Sequence, residues 1–139
     1  MKTLCLDIGT KRIGVAISDA LGITAQRLKT IERKNIKNDI KEITELSNGK
    51  GVSMVVIGLP LSLNGHESPM VKIARDFSNR LKAAWNIPVV EWDERFSTSA
   101  VTKAMLEGDL SRSKRKKIAD ELAAVYILQG YLDSKDSRR

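Results

Sequence analysis

Apolar residues change their spacing several times along the chain, and each change marks an element. Between Thr3 and Ser18, Leu4, Cys5, Leu6 and Ile8 read as a strand apolar on both faces, the pattern of a strand covered on both sides of its sheet. Gly9-Thr10-Lys11-Arg12 is a polar turn, after which Ile13, Val15 and Ile17 alternate with small residues in a second strand. Thr24 to Ile31 forms a weaker third strand. From Ile36 the spacing becomes helical, with Ile36, Ile40, Ile43 and Leu46 on one face, until Asn48-Gly49-Lys50-Gly51 stops it. Val52 to Gly58 is too short for a core helix and is bounded by glycines, so it reads as a central parallel strand.

The second half repeats the alternation of strand and helix. Leu59 to Gly65 is an irregular loop with a turn signal at Asn64-Gly65. Ser68-Pro69 opens a helix whose apolar face is Val71, Ala74, Phe77, Leu81 and Trp85, and Asn86-Ile87-Pro88 ends it. Val89 to Trp92 is a further strand that delivers Asp93-Glu94-Arg95 at its carboxyl end. Ser97 then caps a helix containing Val101, Ala104 and Met105, stopped by Gly108. A last helix runs from Ile118 to Leu132 with Asp120 in its first turns, and the charged tail 133–139 is expected to be disordered.

A hairpin and third strand followed by strand and helix alternation predicts an α/β fold: a mixed five-stranded sheet, antiparallel strands then parallel ones, with helices on both faces. A right-handed crossover sets the Val52 strand beside the first strand, away from the hairpin. Connections leave those two strands in opposite directions, and open α/β sheets keep their sites at such a switch point, at the carboxyl ends of the strands. Asp7 falls there, and Asp93-Glu94 lies one strand further along.

Composition narrows the partner. The 139 residues suffice for one domain, expected over 1–132, and not for two full lobes. Lys and Arg number 24 against 17 Asp and Glu, a formal net charge of +7, which favours a polyanion such as nucleic acid. The single Cys5, between Leu4 and Leu6, reads as a buried structural thiol. Neither a signal-like leader nor an apolar run of membrane-spanning length is present, so a cytoplasmic protein without a membrane partner is expected.

Several polar residues have two readings. A carboxylate at the end of a buried strand costs several kcal/mol unless its charge is compensated, so Asp7 either faces a cation or caps its own turn. Asp120 is a ligand or a first-turn acid favoured by the helix dipole. Arg95 either neutralises Asp93 or Glu94 or binds phosphate. Lys11 and Arg12, in the turn beside Asp7, are solvated or contact phosphate. In the run Ser111 to Lys117, Lys114, Arg115, Lys116 and Lys117 oppose the dipole at a helix start, so local stability does not account for them and a phosphate contact is expected. His66, in a loop, is expected to be solvated.

Four blocks now appear in register: Asp7-x-Gly9-x-Lys11-Arg12-Ile13-Gly14-Val15-Ala16; Gly58-Leu59-Pro60-Leu61 with Asn64-Gly65; Asp93-Glu94-Arg95-x-Ser97-Thr98; and Asp120-x-x-Ala123-Ala124-x-x-Ile127-Leu128. In this order they resemble the YqgF/RuvX family. The resemblance implies a ribonuclease H-like fold and an enzyme described both as Holliday-junction-resolvase-like and as a nuclease maturing the 5′ end of 16S ribosomal RNA. It makes Asp7, Asp93, Glu94 and Asp120 the catalytic acids. Hydrolysis of a phosphodiester by two divalent ions gives an independent reason for such acids, and oxygen ligands suit Mg2+, with Mn2+ as a substitute. Alternation sets Asp93 and Glu94 on opposite faces, so one of them joins Asp7 and Asp120 as a direct ligand, and the longer arm of Glu94 favours it.

The expected function is therefore metal-dependent cleavage of ribosomal precursor RNA by a monomer or weak homodimer. Resolution of branched DNA is the alternative, and a non-catalytic nucleic-acid-binding module a further one that leaves the acids without a role. Asp7-Ile8-Gly9-Thr10 also resembles the phosphate turn of actin-like ATPases and sugar kinases, which need a second lobe that this length does not supply.

Overall fold

The computed structural model describes residues 1–60, 68–94 and 112–135. Five strands, β1 (Lys2–Ile8), β2 (Arg12–Ser18), β3 (Ala25–Glu32), β4 (Val52–Leu59) and β5 (Val89–Asp93), form one sheet in the order β3-β2-β1-β4-β5. The β1–β2 and β2–β3 pairs are antiparallel, and β1–β4 and β4–β5 are parallel. The three helices described are α1 (Ile36–Lys50), α2 (Pro69–Ala84) and α3 (Arg112–Lys135). The sheet and its neighbours thus match the expected α/β architecture, with β4 beside β1 on the side away from the hairpin.

Two cores of unlike side chains separate the layers. On one face Leu4, Leu6 and Ile8 of β1 meet Val55 and Ile57 of β4 and the buried Ile43, Phe77 and Leu81 of α1 and α2. On the other, Cys5, Ala16 and Val56 meet Ala124, Ile127, Leu128 and Tyr131 of α3. Small residues on that second face let α3 approach the sheet closely. Trp92 of β5 closes this core edge-on to Tyr131, with ring centroids 5.5 Å apart.

Element ends follow the local chemistry. Asn35 caps α1 by accepting the Asn38 amide at 2.9 Å, and Gly51 ends it in the left-handed conformation at φ 70°. Ser68 precedes α2, but its backbone carbonyl rather than its hydroxyl takes the Val71 amide. The last helix differs most from its expected span: it starts at Arg112, not Ile118, and runs to Lys135, three residues into the stretch expected to be a disordered tail. Arg and Lys propagate helix well, and Thr30 of β3 donates to the Lys117 carbonyl at 2.9 Å, which ties down the early turns. At the far end the Gln129 amide donates to Asp133 at 3.0 Å, and Lys135 lies over the Tyr131 ring at 5.5 Å. The expected Asn64-Gly65 turn, His66, the helix after Ser97 and residues 136–139 lie outside the described residues. Among the described residues, no helix is long and apolar enough to cross a membrane.

Behind the β1–β2 turn sits an ion pair that patterning does not announce. Arg33 donates through Nε to Asp39 Oδ2 at 3.2 Å and through Nη1 to the Gly9 carbonyl at 3.0 Å, over the Phe77 ring at 5.5 Å. Asp39 is 1% exposed and also accepts the Lys34 amide at 3.1 Å. Removing one member strands the other in an apolar setting, so Asp39→Ala should cost about 3 kcal/mol. Urea unfolding at constant m-value measures it; a loss under about 1 kcal/mol would make the pair a bystander.

Candidate functional site

Strand alternation aims the acids. Asp7 is two residues beyond Cys5, on the face covered by α3, and pairs in register with Gly14 of β2. Glu94 is two residues beyond Trp92, which also belongs to the α3 face, whereas Asp93 pairs with Leu59 at the end of β5 and belongs to the opposite face. Asp120 lies eight residues after the start of α3, more than two turns in, beyond the reach of the helix dipole. The dipole therefore does not account for it.

Two glycines make room for these side chains. A β-carbon at Gly14 would overlap the backbone carbonyl of Asp120, so the missing side chain lets α3 touch β2 at the acid. A β-carbon at Gly58 would stand 2.7 Å from Glu94 Oε1 and 2.7 Å from Ile127 Cδ1. Glu94 therefore lies back across β4 in the space that Gly58 leaves. A glycine inside a strand marks such a close approach, and that signal was available at both positions.

Charge in the site is compensated internally. Burial raises the Asp7 carboxyl; a hydrogen bond from Glu94 opposes the rise, and the charge of Asp120 adds to it. Burial, the bond to Asp7 and the charges of Asp7 and Asp93 push Glu94 up to about 9. Glu94 and Asp7 thus hold a proton between two carboxylates at neutral pH. Asp120 has a different partner, for Arg12 Nε donates to its Oδ2 at 2.7 Å. Accordingly, among the described residues no three acidic, His or Cys side chains stand together so as to hold a metal ion in their present positions. Two half-buried carboxylates joined by a hydrogen bond, with a third acid on the same face, nevertheless supply the hard-oxygen donors that a divalent cation takes.

The basic residues divide. Arg12 reaches Asp120, Lys11 is exposed in the turn, and Lys114, Lys116 and Lys117 are exposed on the first turns of α3. Lys117 also approaches Glu32 at 3.7 Å, an exposed pair of little energetic weight. Arg95 and the side chain of Arg115 lie outside the described residues. Burial, then the charges of Asp7 and Glu94, raise the Cys5 thiol well above its ordinary range, so it is a core residue and not a nucleophile.

Patterning did not find the residues that fix the register of α3. The single Thr30 hydroxyl proton is shared between the Lys117 carbonyl and Glu121 Oε2, the latter 2.8 Å away, and Gln129 accepts the Ala25 amide at 2.9 Å while donating to the Ile23 carbonyl at 2.9 Å. Polar bonds from an edge strand thus hold the helix that carries Asp120.

Residues 1–134 match the model of a family described as RuvX, Holliday junction resolvase. A Clostridium tetani protein named "Putative pre-16S rRNA nuclease" is 54% identical over 134 residues, 96% of this chain and 97% of the relative. A Clostridium kluyveri protein of the same name is 52% identical over 133 residues, with the same coverage. Among solved structures, Thermus thermophilus RuvC in complex with a Holliday junction substrate superposes with a TM-score of 0.60 at 12% identity, over 98% of this chain and 97% of that one. The fowlpox virus resolvase with Holliday junction DNA gives 0.55 at 18% identity, over 96% and 98%. Identities this low speak to the fold, which is that of the resolvases.

Proposed function

The chain belongs to the RuvX family, and on that premise we propose that it is a metal-dependent nuclease that cleaves phosphodiesters at the 5′ end of the 16S ribosomal RNA precursor, in the cytoplasm. The observation that supports the reading is the hydrogen bond from Glu94 to Asp7 at the carboxyl end of β1, with the charge of Asp120 acting on Asp7 from the helix that covers that face. These three would hold two divalent cations, Mg2+ by donor type, which supply Lewis-acid activation of water and offset charge developing on the leaving oxygen. Asp93, on the other face, acts on the site through its charge on Glu94. Lys11, Lys114, Lys116 and Lys117 hold the nucleic-acid backbone, and Arg95 and Arg115 are proposed to join them.

A single cut at a 5′ end needs one active site, which suits a monomer or a weak homodimer. Resolving a junction symmetrically needs two sites on a twofold axis. The deciding experiment supplies the purified protein and Mg2+ with a labelled 16S precursor leader and with a four-way DNA junction, and maps precursor ends in depleted cells. Accumulated 5′-extended precursor supports the proposal; normal 5′ ends together with paired symmetric nicks on the junction would replace it with the resolvase reading.

The basic turns make a separate prediction. Replacing Lys114, Arg115, Lys116 and Lys117 with Gln should weaken binding alike for all sequences. The slope of log K against log salt should flatten by about 0.7 per lost contact on single strands and about 0.9 on duplex DNA. An unchanged slope would make these residues a solvated face.

A further inference from the structure

Arg12 stands at the start of β2, in register with Glu32 of β3, and spends its guanidinium on Asp120. The pair is partly open to solvent, with side chains 26% and 30% exposed, so the bond is of the kind that exchanges readily. Lys11, its exposed neighbour, makes no ion pair with a described residue. The chain therefore has two cations side by side in one turn, of which one is committed to the α3 acid.

We propose that Arg12 is an exchangeable counter-ion for Asp120: it occupies the carboxylate oxygen until a divalent cation takes it, and is then released to a phosphate of the nucleic acid. Cation and nucleic acid then bind cooperatively through this one side chain, because each removes Arg12 from the other's way. The guanidinium suits both duties, since its planar donors match carboxylate and phosphate alike. The inference rests on Asp120 being a cation ligand, as proposed above, and goes beyond it in giving the site an internal competitor.

The test is Mn2+ binding to the full chain by calorimetry, without nucleic acid. Arg12→Gln should bind Mn2+ about tenfold more tightly than wild type, because a charge-assisted hydrogen bond no longer competes. Arg12→Lys, which keeps the charge and is the gentler change for folding, should move the same way by a smaller factor. Lys11→Gln controls for charge alone and should change Mn2+ affinity by less than about twofold. In a second arm, Ca2+ should tighten binding of a labelled RNA hairpin to wild type, and this gain should shrink in Arg12→Gln by the factor gained in the first arm. Unchanged or weaker Mn2+ binding by both Arg12 variants, or an equal gain from Lys11→Gln, would overturn the proposal while leaving the metal site standing. Failure of wild type to bind Mn2+ at millimolar concentration would remove the metal site itself.

Discussion

Asp7→Asn should lower the rate of phosphodiester cleavage by at least about a thousandfold, roughly 4 kcal/mol of transition-state stabilisation, while making the cation-free protein more stable. Both effects have one source. Asp7 and Glu94 are raised acids that share a proton in the folded chain, whereas in the unfolded chain each ionises near its ordinary value. Between about pH 4.5 and 9 the folded state therefore binds more protons, and stability falls as pH rises through that window. The amide at position 7 accepts the same hydrogen bond from Glu94 without repelling it. The variant should melt about 4 °C above wild type at pH 8, with a smaller difference at pH 5. Mg2+ should raise the melting temperature of wild type and not of the variant. Wild-type cleavage by Asp7→Asn would make the acid structural; a variant that melted lower at pH 8 would mean that the carboxylates do not repel one another.

That pairing bears on how much of the candidate site is legible in the sequence. Asp7 announces itself because a charge inside Leu4-Cys5-Leu6-x-Ile8 breaks a pattern that permits only apolar residues. Alternation after Trp92 then separates Glu94 from Asp93, and the structure gives those two opposite faces. The sheet order was legible for the same reason: period changes, glycine stops and crossover handedness are local rules that tertiary packing did not overrule. Asp120 was harder, since its reading depended on where α3 begins. A run of basic residues gives no apolar spacing to mark the first two turns, so the expected start falls six residues late and leaves Asp120 a dipole reading beside its reading as a ligand. Least legible were contacts between elements far apart in sequence, such as Arg33 with Gly9, or Gln129 with β3. These depend on geometry that no spacing encodes.

Gly14→Ala should cost about 1–3 kcal/mol of stability and, beyond that, about a hundredfold in cleavage rate, from the addition of a single methyl group. The methyl would overlap the backbone carbonyl of Asp120, and helix backbone does not yield as the tip of a side chain does. To relieve the overlap α3 must lift from β2, which loosens Ala124, Ile127 and Leu128 from Cys5, Ala16 and Val56. Asp120 rides on the same turn, so it leaves Asp7 and Glu94 even in molecules that stay folded. A glycine with open surroundings separates the two effects. Nothing lies within 4 Å of a β-carbon at Gly49, in the last turn of α1, so Gly49→Ala should stabilise by about 0.5–1 kcal/mol. In the double variant the sites are independent, and the stability lost at Gly14 should be partly recovered. Cleavage should not be, since α1 packs on the opposite face of the sheet and cannot return Asp120 to its place. If activity rose with stability in the double variant, the fault would be simple unfolding, and Gly14 would not be what holds Asp120 against Asp7.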